Sequence, residues 1–158
     1  MSSPQPPPLS EVIPVEAPES RDYWIAIGAS ALCFAIACAL PALKFQNTNG
    51  SAHIWYGGTV FLVGWMAALV GQLAWFANLL LFGSWISLIF RSRFGAVVFS
   101  LVALLIASQT YTLFGDPLPA DEGGVNKMAL THILPGFYFW LSSIIISVMG
   151  GVLCRSRR

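Results

Sequence analysis

From Thr59 to Phe90 the chain runs for 32 residues without a charged side chain. A water-facing helix or strand alternates apolar with polar residues, so a run of this kind belongs in lipid or in the core of a much larger protein. As one helix it would reach ~48 Å, against a hydrocarbon core of ~30 Å. Tilt alone takes up only part of that excess. The length predicts a spanning helix over about 59–78, a break within Ala77–Leu80, and a shorter apolar helix continuing to Phe90. Asn78 is the expected interrupter, because its amide can cap a new helix start by accepting a backbone N–H. An unbroken tilted helix is the alternative.

Only 9% of the 158 residues are charged and 56% are hydrophobic, whereas a soluble domain carries about 25% charged residues. Three further apolar runs have spanning length: Tyr23–Leu43 at ~32 Å, Ala96–Phe114 at ~28 Å and Ile133–Cys154 at ~33 Å. The fold class expected is therefore all-α: a four-transmembrane-helix bundle over 23–154, with spans at about 23–43, 59–78 continuing to 90, 96–114 and 133–154. Six of the ten prolines fall within 1–22, which predicts a disordered Pro-rich tail. Residues 155–158 form a basic tail. The stretches 44–58 and 115–132 read as polar loops. Arg21, Arg91, Arg93, Arg155, Arg157 and Arg158 fall on one side, and Lys44 and Lys127 on the other. This asymmetry places both termini in the cytoplasm and both larger loops outside.

Helices in lipid associate through small residues that permit close approach. Such rows occur here, and Gly64, Gly71, Ser143, Ser147 and Gly151 are the expected packing positions. No Asp, Glu, Lys, Arg or His lies within a span, which argues against proton-coupled carriers. Gln72, Asn78 and Gln109 are the polar residues expected to line the bundle. A hydrogen bond to a neighbouring helix is enough to account for Gln72, which is the deepest of them on this reading. A solute or lipid-headgroup site is the functional alternative.

Other chemistries find little support. His53, His132, Asp116, Asp121 and Glu122 all fall on the outer side but lack ligand spacing, so no metal site is assigned. No histidine lies where a haem-binding bundle needs one, and no cofactor is expected. The sequence contains no GxSxG, HExxH or phosphate loop, so no catalytic residue is assigned. Cys33 and Cys38 stand about 140° apart on a helix and cannot pair. A net charge of +1 without a basic stripe argues against nucleic acid.

Gly64-Trp65, Gly71, Trp75-Phe76-Ala77-Asn78, Asp121-Glu122-Gly123-Gly124 and Gly136-Phe137-Tyr138-Phe139-Trp140 together form a pattern between Ala39 and Gly151. It resembles uncharacterised small four-span bacterial inner-membrane proteins, with Leu79 standing where that pattern carries a proline. The resemblance implies a bacterial cytoplasmic membrane and supplies no activity. Three functional readings follow. The first is a non-catalytic binding or scaffold component whose partners are the bilayer and a membrane protein or second copy. The second is a channel or facilitator for a small neutral or lipidic solute. The third is a metal-handling protein or membrane enzyme using the outer acids and histidines.

Overall fold

A computed structural model of the chain describes residues 19–119 and 126–153. The Pro-rich stretch 1–18, the acids Asp121 and Glu122, Cys154 and the basic end 155–158 lie outside the described residues. Residues 19–22, expected in the tail, already belong to the first helix, α1 (Glu19–Ala39). Proline disfavours helix at the residue before it, so Pro41 ends α1 and opens a strand, β1 (Pro41–Asn47).

That strand corrects the all-α expectation. The presumed loops fold into a four-stranded antiparallel sheet in the order β2-β1-β4-β3, where β2 is Ala52–Tyr56, β3 Leu118–Pro119 and β4 Lys127–Ile133. Its pattern has period two: Leu43 and Phe45 are buried, whereas Lys44 is half-buried and Gln46 exposed. The run to Leu43 had hidden this alternation inside an apparent helix. Leu43 pairs with Ile133 and Asn47 with Met128. The sheet core is Ala42, Leu43, Phe45 and Leu130, closed from below by Leu113 and Phe137.

The remaining helices are α2 (Gly57–Val63), α3 (Ala77–Ile89), α4 (Arg93–Ala107) and α5 (Pro135–Leu153), and 3-10 turns cover Gly64–Val70, Ala74–Phe76 and Ser108–Phe114. Helix α1 packs on α5, α5 on α4, and α4 on α3. Because β1 follows α1 and β4 precedes α5, the antiparallel helix pair continues directly into the central strand pair. Among the described residues three stretches are long and apolar enough to cross a membrane: Arg21–Ala39, Arg93–Phe114 and Pro135–Leu153. Gly57–Val70 and Ala74–Ile89 are shorter apolar helices.

The interior of the bundle is held by hydroxyls. Ser84 Oγ donates to the Ala96 carbonyl (3.0 Å), while Ser100 Oγ and Ser147 Oγ each lie 2.7 Å from it. Ser30 Oγ donates to the Ser143 carbonyl (2.8 Å) and accepts from the Trp85 indole N–H (2.8 Å). At the end opposite the sheet, Arg93 donates to the carbonyls of Gly151 (3.3 Å) and Val152 (2.9 Å), linking α4 to α5.

The 59–90 run departs from expectation. Residues 77–80 are helical, and the break falls at Gly71–Leu73. Gly71 adopts a φ of +85°, a left-handed conformation that strains any other residue. The stretch before it does not cross the bundle. Gly57 N–H bonds the Leu40 carbonyl at the sheet end (2.9 Å). Fourteen or so residues later, Gly71 and Leu73 meet Gln109, again at that end. Residues 57–76 are thus an excursion beside the sheet, and the expected 59–78 span does not form.

Candidate binding cavity

The excursion is held at three places. Where it leaves the sheet, α2 lies so close to α1 that a Cβ on Gly57 would collide with the Ala37 carbonyl. Midway, Phe61 and Trp75 stack, and the Trp75 indole donates to the Phe61 carbonyl (2.7 Å). Phe61 also meets Phe34 of α1 and Phe82 of α3 edge-on. Where the excursion turns back, Gln109 Oε1 accepts from Leu73 N–H (2.8 Å) and its Nε2 donates to the Gly71 carbonyl (2.9 Å). On the far side, α5 begins against the α1–β1 junction, where a Cβ on Gly136 would come within 2.9 Å of the Leu40 and Pro41 carbonyl oxygens.

These anchors leave the centre unfilled. A partly open cavity of about 800 Å³ lies between the sheet, the excursion and the upper bundle. That is within the ~300–1,000 Å³ of small-molecule sites. Phe45, Trp55 and Met128 form its sheet wall, and Phe137 and Trp140 belong to α5. Val60, Met66 and Val70 come from the excursion, and Cys38 from α1. Gln72, Asn78 and Thr110 supply polarity, and among the described residues no Asp, Glu, Lys, Arg or His contributes to the wall.

The amides have assignable orientations. The Trp140 indole can only donate, and it meets Asn78 Oδ1 at 2.9 Å; Asn78 Nδ2 then donates to the Trp75 carbonyl (2.8 Å). Asn78 therefore ties α3 to α5 within the first turn of α3, and does not cap a new helix. Thr112 spends its one proton on the Gln109 carbonyl (2.8 Å). The Gln72 atom 3.0 Å from the Thr112 hydroxyl must therefore be the donor Nε2. This leaves Gln72 Oε1, which is sealed from solvent and has no hydrogen-bond partner. Most buried polar atoms are satisfied. Thr110, only 4% exposed, also offers the wall a hydroxyl with no hydrogen bond to a described residue.

The three amides expected to line the bundle thus gather at its sheet end. Gln109 clamps the turn and Asn78 bridges helices. Gln72 stands in the cavity wall, at the turn and not deep in a span. Of the expected packing positions, Gly151 is packed so tightly that a Cβ would lie 2.8 Å from Val97 Cγ2. Ser143 and Ser147 are fully buried. Gly64 packs on the Trp75 ring within the excursion, not on a neighbouring span. Gly71 is a correction: it is exposed, and a Cβ there would meet nothing within 4 Å. The left-handed turn requires glycine, and helix packing plays no part. Nothing in the amino-acid pattern marks Thr110, which is buried on the 3-10 turn and lines the cavity.

His53 lies opposite Phe45 on β2, His132 opposite Lys44 on β4, and Asp116 is exposed. Among the described residues no three metal-ligating side chains come together. Cys33 and Cys38 are free thiols.

No protein-family model, curated protein or solved structure matches this chain.

Proposed function

We propose that the protein is a non-catalytic membrane binding protein whose site is the cavity beneath the sheet. One observation carries this: an apolar chamber of about 800 Å³ with a few placed polar groups and, among the described residues, no reactive constellation around it. Four crossings fit the packing, with Ala74–Ile89 as the shortest at roughly 25 Å. Its serine-linked contact with α4 and α5 aligns it with two helices of spanning length. The basic asymmetry then favours both termini in the cytoplasm and the sheet outside. The resemblance to small bacterial inner-membrane proteins favours that membrane. Below the cavity, Leu81, Ala103 and Ile144 are fully buried, which argues against a facilitator with a continuous path.

A neutral apolar fluorophore such as diphenylhexatriene tests the site. The purified protein in a mild detergent is expected to bind it at one equivalent. Ala67→Trp, which places an indole in the cavity, is expected to weaken binding more than about tenfold without lowering the melting temperature. Equal binding by this variant would mean that the probe resides in detergent or on the lipid-facing surface.

A further inference from the structure

The cavity has a mouth, and the depth of that mouth in the fold decides what can pass through it. Most of the wall is closed: Leu43 and Phe45 of β1 and Phe137 of α5 are buried, and Leu81, Ala103 and Ile144 fill the bundle beneath. The wall residues that are exposed are Val63, Met66, Leu69 and Val70 on the excursion and Pro119 at the end of β3. Leu69 is 80% exposed, far more than a side chain facing only a cavity, so the excursion is wall and outer surface at once. Its winding arranges the rim. Gly64–Val70 is a seven-residue 3-10 turn, longer than the usual run of about three or four. With roughly three residues per turn, Val63, Met66 and Leu69 stand in one row, whereas α-helical winding would step each about 60° round the axis from the last. No rim side chain is polar. Contacts at both ends of the row fix its depth. Before it, Phe61 meets Phe34 edge-on at 5.5 Å, and Phe34 stands ~7.5 Å inside the end of α1. After it, Gly71 and Leu73 are bonded to Gln109. Phe34 and Gln109 both lie within stretches long and apolar enough to span a membrane. The row between them faces hydrocarbon, not water.

We infer that this row is the rim of a side entrance through which one acyl chain of a bilayer lipid enters the cavity, from the half of the membrane nearest the sheet. An acyl chain suits a chamber whose described wall carries no charge, and it is the molecule that surrounds the rim at this depth. The headgroup stays at the interface and keeps its hydration, so the cavity needs no polar site to match it. This rests on the cavity being a binding site, and the test separates the two claims. The probe is phosphatidylcholine with a diazirine in one acyl chain, in vesicles holding the full-length protein, with adducts mapped by mass spectrometry after illumination. Phe45 and Phe137, each 3% exposed, are out of reach of lipid around the protein, so adducts on them report a chain inside. Adducts on the exposed Phe94 and Leu105 report the surrounding lipid. The parent is expected to carry both sets. Met66→Trp with Leu69→Trp, which sets two indoles on the rim, is expected to lower the inner adducts more than about fivefold relative to the outer ones. Val63→Phe with Val70→Phe is the substitute should that variant not fold. Inner adducts that persist in a folded rim variant overturn the entrance. Inner adducts missing from the parent overturn the lipid chain as ligand. Diphenylhexatriene bound at one equivalent would then leave a cavity for some other apolar molecule, and loss of that binding as well removes the site itself.

Discussion

Ser84 accepts from the hydroxyls of Ser100 and Ser147 and donates to the Ala96 carbonyl, so its loss strands two buried donors at once. Ser84→Ala is expected to lower stability by ~1–3 kcal/mol, read as a fall in the thermal midpoint in detergent. A variant as stable as the parent would show that the three helices associate by packing alone. Arg91 gives the opposite sign. It closes α3 in the left-handed conformation (φ +57°), with its N–H on the Leu88 carbonyl and the Ser92 N–H on the Ser87 carbonyl. This is the helix-ending pattern that glycine usually serves. Arg91→Gly is expected to raise stability by ~0.5–1 kcal/mol, part of the relieved strain being offset by greater freedom of the unfolded chain. An unchanged or lower midpoint would show that the guanidinium makes a compensating contact. At this scale the sequence reveals which residues are small or polar but not their partners. Ser143 and Ser147 stand out in the sequence as small residues at helical spacing, yet nothing in the string joins Ser147 to Ser84.

The excursion 57–76 is where reading and structure diverge most, and backbone chirality is the reason. Asn78 looked like the interrupter because an amide can cap. Gly71 interrupts because it alone enters the left-handed region without cost, and a preceding run of Met, Ala, Leu and Val conceals a turn of that kind. Gly71→Ala is expected to cost ~1–2 kcal/mol although a Cβ there has open space around it. A loss below ~0.5 kcal/mol would show that the turn relaxes to another conformation. Gln109→Leu removes its two bonds to the turn and leaves the one from Gln72 to Thr112. Faster amide exchange at Leu73 and its neighbours, with the α4 amides unchanged, is the expected result; uniform protection would mean that the aromatic stack on Phe61 suffices. The sheet was illegible for a related reason. Only Leu43, Lys44, Phe45 and Gln46 show a clean alternation, and they adjoin a helix of the same hydropathy.

Across the whole molecule, the lipid-facing composition was legible from the scarcity of charge, and three helices of spanning length agree with it. The cavity was not legible, because its wall draws on residues from both ends of the chain. A reporter fused after Arg158 is expected to be active only in the cytoplasm, and one inserted at Gly50, in the β1–β2 turn, only outside. Periplasmic alkaline phosphatase activity from the first would reverse the orientation. The central strand pair also fixes an order of events. Strands β1 and β2 can form a hairpin early, but β1 finds its second neighbour only in β4, after α3 and α4 have been made. Until then the hairpin has an open hydrogen-bonding edge, which attracts foreign strands. Long-range pairing of this kind is also slow to close. The last helix therefore arrives with the strand that seals the sheet, and a chain stalled before residue 127 would expose that edge to other nascent chains and to proteases.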